Sequence, residues 1–193
     1  MTEESQASEP GTGEIELEPP TADLAGLLIR MTELEWPMTE EDRLRFFHRL
    51  GLHDVDSPRP DDSDLDIEHR HFGTALPSAV HGTATMFRGE FLGLSLFLYD
   101  EPTDNGLLAR VGYAALRDQL SQRLGPPVEE WGIANEPACL WRPGLLILDM
   151  YCFQRLRSGI MVGPSHAKRS TALDAAAGGN PRRSGHVWGT AGG

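Results

Sequence analysis

The stretch VHGTATMFRGEFLGLSLFLY, residues 80–99, reads as two strands folded back on each other across Gly89. In its second half Leu92, Leu94, Leu96 and Leu98 recur at every other position, the period of a strand with one face in a core. A hairpin alone is marginal in water, so the leucine face requires a cover. Upstream, Leu24, Leu27, Leu28, Met31 and Leu34 follow Thr21, a predicted N-cap, at helical spacing until Trp36-Pro37. A second helix is predicted from Thr39, with Asp42 in the capping-box position, Leu44, Phe47 and Leu50 as its buried stripe, and Gly51 as its stop. The two form an amphipathic antiparallel pair.

Downstream of the hairpin a third helix is predicted from Asp104, with Ala109, Tyr113, Leu116, Leu120 and Leu124 on one face; LGPP, residues 124–127, ends it. Four strand segments follow, over residues 128–134, 138–141, 145–153 and 160–162. In WRPGL, Pro143 and Gly144 suit the centre of a type II turn, which sets Trp141 opposite Leu146 and Cys139 opposite Leu148. The expected fold is α+β: an N-terminal helix pair and one central helix on a mostly antiparallel sheet of about five to seven strands.

Composition adds the boundaries. The first 20 residues hold six glutamates and no basic residue, too little apolar surface to offset the entropy of ordering. They are expected to be a disordered acidic tail, unlike a secretory leader. Residues 21–163 form the domain, and residues 164–193, with a short helix near 170–177, a flexible and locally basic tail. No apolar run approaches the roughly 20 residues that cross a bilayer. With only Cys139 and Cys152, and about 13 Å between them in the predicted register, free thiols in a reducing cytoplasm are expected. The net charge of -12 disfavours nucleic acid and anionic membranes and favours one basic protein partner.

Candidate chemistry is sparse. His69 and His71 share a face if residues 66–72 are a strand, and with His81, and Asp64 or Glu68 as oxygen donors, they make the one metal reading worth stating. Glu68 falls on the opposite face and FGTALPS lacks a further ligand, so a polar strand edge is the preferred reading, with no metal and no cofactor. Cys152, within the apolar run LLILDMYCF, reads as a packed hydrophobe, not a nucleophile. Asp149 in the same run shares a face with Leu145, Ile147, Tyr151 and Phe153; it is either partly exposed, the preferred reading, or buried beside Arg142 or Arg155. Phosphate loop, serine elbow, HExxH and EF-hand patterns are absent from the sequence.

Surface features remain. Residues 54–68, DVDSPRPDDSDLDIE, hold seven acids to one arginine; Asp61, Asp62, Asp64, Asp66 and Glu68 are the candidate contacts to a basic partner. Trp131, Trp141 and Tyr151 fall on neighbouring strands and form a candidate aromatic contact patch, with the core as the alternative.

The element order, together with Trp36, Gly51, Gly125, Pro127, Trp141 and Arg142, resembles a family of small α+β proteins of uncharacterised role from high-GC bacteria, an origin to which sixteen arginines beside the single Lys168 also point. In type it is similar to immunity proteins of polymorphic toxin systems and to secretion chaperones. The resemblance covers about residues 21–163 and carries over no functional residue. It implies a non-catalytic, cytoplasmic binding protein that masks a basic toxin domain. The alternatives are a dimeric chaperone or adaptor, and a small metal-dependent enzyme using His69 and His71.

Overall fold

In the computed structural model, residues 15–55, 66–77, 80–101, 106–154 and 157–177 are described. The hairpin of residues 80–99 is present as β3 (His81–Phe87) and β4 (Glu90–Glu101). Arg88 and Gly89 both take left-handed backbone angles, φ 53° and 75°, as a two-residue turn that matches strand twist requires. Around it lie α1 (Thr21–Glu33), α2 (Glu40–Leu50), β1 (Leu52–Asp54), β2 (Ile67–Thr74), α3 (Leu107–Leu124), β5 (Glu129–Ile133), β6 (Glu136–Trp141), β7 (Leu146–Gln154), β8 (Ser158–His166) and α4 (Ala167–Ala176).

All eight strands form one sheet in the order β1-β2-β3-β4-β8-β7-β6-β5, and every neighbouring pair is antiparallel. The class is α+β, as expected, with more strands than expected. Leu52–Asp54 is too short and polar to announce itself; it pairs with β2, Leu52 opposite Thr74. A continuous sheet replaces two segments because β8 pairs with β4 on one edge and β7 on the other.

One face of the sheet is buried. Leu24, Leu27, Leu28 and Met31 of α1 and Ala109, Tyr113, Leu116 and Leu120 of α3 share a core with Phe72, Leu94, Leu96, Leu98, Trp141, Leu148, Met150, Ile160 and Val162. The predicted α3 face is therefore the buried one. Leu92 departs from its alternate leucines. Thr85 faces Gly93 while Met86 faces Phe91, so a bulge at Leu92 reverses the parity of the strand. Leu92 then joins Ile67, Phe87 and Leu173 in a small cluster apart from the main core.

The helix starts and stops differ in detail from the expectation. Thr21 is the first helical residue and Pro20 the N-cap, without a side-chain cap bond; the Thr21 hydroxyl instead accepts from the Gln119 amide of α3 at 3.0 Å. The Thr39–Asp42 capping box and the left-handed Gly51 are present. In α2 the buried residues are Arg43, Phe46, Phe47 and Leu50, whereas Leu44 is 51% exposed. Arg43 takes the inward place because Glu40 and Asp54 both bind its guanidinium, at 2.7 Å, and its face rests on the Phe47 ring. That ion pair ties α2 to β1.

At both ends the described structure runs past residues 21 and 163. Leu17 packs against the core and the Tyr99 hydroxyl donates to the Pro19 carbonyl at 2.7 Å, so residues 15–20 belong to the domain. At the other end β8 runs to His166 and α4 follows; Arg169 secures α4 by donating to the Pro37 and Phe91 carbonyls and pairing with Glu90 at 2.9 Å. Residues 1–14 and 178–193 lie outside the described residues. No helix among the described residues is long and apolar enough to cross a membrane.

Two glycines test the packing. A Cβ on Gly112 of α3 would stand 2.5 Å from the Tyr99 ring, whereas one on Gly26 of α1 meets nothing. Gly112→Ala is expected to lower stability by about 1–3 kcal/mol through overpacking, and Gly26→Ala to raise it by roughly 0.5–1 kcal/mol through helix propensity. Urea unfolding of the two variants checks both signs.

Candidate functional site

The other face of the sheet holds a trough of about 980 Å³. Its floor exists because the strands there carry small side chains: Thr85 of β3, Gly93 and Ser95 of β4, Gly163 and Ser165 of β8. One wall is α4, through Ser170, Thr171, Leu173 and Asp174; the Ser170 and Ser165 hydroxyls are 3.2 Å apart. The opposite wall is Trp131 of β5 and Tyr151 of β7, whose rings meet edge to face, centroids 5.5 Å apart and planes at 76°.

Asp149 of β7 stands between these walls. Strand alternation sends Leu148 and Met150 into the helix-covered core and leaves Asp149, Ile147 and Tyr151 on the trough side. Its ladder partner on β8 is Gly163, which has no side chain to crowd it. The Tyr151 hydroxyl donates to Asp149 Oδ2 at 3.4 Å. Burial pushes the Asp149 carboxyl up to about 7, opposed by the Tyr151 hydrogen bond and one from the backbone. Burial and the neighbouring carboxylate raise the Tyr151 phenol well above its ordinary range. Of the two arginines expected as partners, Arg142 lies 3.7 Å from Glu129 instead, and Arg155 is outside the described residues.

The trough is acidic. Among the described residues that line it, Glu129, Glu130, Asp149 and Asp174 stand with one guanidinium, Arg142. Glu130 is bound to Arg117 of α3.

The sequence-predicted site residues divide. Trp131 and Tyr151 are brought together; Trp141 is not. It is 2% exposed in the core and its indole N–H donates to the Gly125 carbonyl at 3.0 Å, so Trp141 is corrected from contact residue to packing residue. Its register is shifted too: Trp141 faces Leu148 and Cys139 faces Met150, because the turn closes later, with the Leu146 amide donating to the Pro143 carbonyl. A slip of two keeps every side chain on its face. Cys139 and Cys152 are free and buried, and burial raises both thiols to about 11, the behaviour of packed hydrophobes.

In the acidic segment, Asp61, Asp62 and Asp64 lie outside the described residues. Asp66, in the turn before β2, is exposed at φ 52°. Glu68 points to the helix side, where Arg70 bridges it at 2.9 Å to Glu40 of α2 at 2.7 Å. This internal network uses Glu68 as a strut between β2 and α2. His69 and His71 share the outer face, as the strand period predicts. His69 lines the trough, its Nδ1 3.4 Å from the Thr85 hydroxyl, while His81 stacks on Phe97 with centroids 5.9 Å apart. Among the described residues no three His, Cys, Asp or Glu side chains form a metal-holding group.

What sequence reasoning missed is the α4 wall and the small-residue floor. Their traces are GLS at 93–95 and GPS at 163–165, two strand stretches of the same character that pair across β4 and β8. No family model, no curated protein and no solved structure matches the chain.

The raised Asp149 carboxyl links stability to pH. A group titrating near 7 when folded, against an ordinary 3.8, binds its proton more tightly in the native state than in the unfolded one. Its contribution is therefore most favourable below the unfolded value, declines as pH rises through the interval to 7, and is fully lost above 7. Asp149→Asn is expected to remove that decline and to stabilise the protein at pH 8 by roughly 1–3 kcal/mol, measured by urea unfolding across the pH range.

Proposed function

We propose that this chain is a non-catalytic protein-binding domain whose working surface is the trough on the outer face of the sheet, and that its occupant is a basic segment of one protein partner. The observation that carries the reading is a sheet-floored trough that holds the Asp149 carboxyl beside two aromatic rings. Charge and shape together suit lysine- or arginine-bearing chain: carboxylates attract and orient it, and the aromatic wall and small-residue floor supply area that excludes water. The net charge of -12 adds long-range attraction, which speeds encounter with a basic partner and fades as salt is raised.

Neutralisation of a basic toxin domain is the biological setting that this chemistry fits. The acidic segment around Asp61, Asp62 and Asp64 extends the same charge along the chain and serves as a second contact. The test expresses the products of neighbouring reading frames with and without this chain. The reading expects one product that arrests growth alone, is tolerated when co-expressed and forms a one-to-one complex, with affinity reduced about tenfold or more by Trp131→Ala. A complex indifferent to Trp131→Ala, or no binding among these products, contradicts it.

A second reading draws on the free edge of the sheet. Every residue of β5 is exposed along its length, and Val128, Trp131 and Ile133 are exposed apolar groups there. Such an edge invites pairing with another strand, and a second copy paired through β5 would make the protein a dimeric adaptor. Light scattering decides: a dimer converted to monomer by Ile133→Lys supports the adaptor, and a monomer at high micromolar concentration removes it.

A further inference from the structure

We propose that Asp149, Tyr151 and Trp131 form a subsite for one guanidinium group, the side chain of an arginine presented by the partner. The proposal rests on the reading of the trough as a partner surface and assigns the chemistry of its deepest contact. Asp149 lines the trough with no basic side chain paired to it among the described residues, and the side-chain donor shown for it, the Tyr151 hydroxyl, is at the long distance of 3.4 Å. A carboxylate accepts two parallel N–H bonds from a guanidinium, and one such pair satisfies the oxygens that Tyr151 leaves open. Trp131, 40% exposed beside it, offers an aromatic surface on which a planar cation stacks. Gly163 across the ladder leaves room for the head group.

Guanidinium is favoured over ammonium for two reasons. It is less strongly hydrated, so entering a half-covered, partly apolar trough costs less, and it is planar, so it satisfies the carboxylate in one direction and the ring in another. An ammonium meets only the charge. A neutral isostere of guanidinium meets only the ring.

The charged residues that line the trough with Asp149 are Glu129 from β5, Arg142 from the turn between β6 and β7, His69 from β2 and Asp174 from α4, while Glu130 of β5 is drawn to Arg117 of α3 on the helix side; β8 contributes no charged side chain to the trough. Glu129 and Glu130 are already paired with Arg142 and Arg117. Protonation of Asp149 removes the anion, so cation binding strengthens as pH rises through neutrality.

The test uses the full chain with n-butylguanidinium, n-butylammonium and n-butylurea, followed by amide and indole NMR shifts. The expected result is saturable millimolar binding of butylguanidinium with shifts at Asp149, Tyr151 and the Trp131 indole. Butylammonium is expected to bind several-fold more weakly and butylurea not at all. Asp149→Asn should weaken butylguanidinium about tenfold or more, and Trp131→Ala, at an exposed edge that tolerates truncation, several-fold. Absence of saturable binding, equal binding by a folded Asp149→Asn protein, or equal binding of the ammonium or urea probe overturns the subsite. Because no protein partner enters the experiment, its failure removes the arginine contact alone, whereas a partner complex indifferent to Trp131→Ala removes the trough as a surface.

Discussion

The pairing of β4 with β8 is the constraint on which the rest of the structure depends. Leu96 faces Val162 and Leu98 faces Ile160 across it, joining strands more than 60 residues apart in the chain. Without it the hairpin at 80–99 and the strands after α3 are two small sheets, each short of the cover it needs. With it, one wide sheet presents a continuous apolar face to α1 and α3, and burial of that face is the main stabilising contribution of the fold. The same junction fixes the opposite face. Gly93, Ser95, Gly163 and Ser165 come together there, and the absence of bulk at the sheet centre makes the trough between α4 and the Trp131–Tyr151 wall.

Asp149 acquires its character from that arrangement and not from its neighbours in sequence. In the run LLILDMYCF it alternates onto the outer face with Ile147 and Tyr151. Only when α4 folds over one side and β5 brings Trp131 to the other does water become scarce around the carboxyl. The resulting cost is held by the packing of the rest of the domain, which is the usual relation between a working site and its scaffold. Arg169 is the fastening, since its bonds to Pro37, Phe91 and Glu90 hold α4 where it can act as a wall.

Periodicity made the buried face legible: Leu94, Leu96 and Leu98, the stripe of α3, and the Thr39–Asp42 capping box all follow from local pattern. Long-range geometry did not. The bulge that turns Leu92 outward leaves no mark in an unbroken alternation of leucines. Arg43 displaced Leu44 from the buried side of α2 because Asp54, on another element, supplies its counter-charge. Trp141 looked like a surface aromatic because its strand alternation fixes only that it faces away from Asp149's side, not which side the helices cover. At the site, the outward placement of Asp149, Trp131 and Tyr151 was readable, but their convergence depended on a sheet order and an α4 position that no local pattern encodes.

Asp149 is a carboxyl poor in solvation on the outer face of the sheet, between α4 and the Trp131–Tyr151 wall. Direct titration of its side-chain carboxyl carbon by NMR in the free protein tests this most directly. The expected midpoint is near 7. A midpoint in the ordinary acidic range would show a well-hydrated carboxylate and would contradict the trough as described.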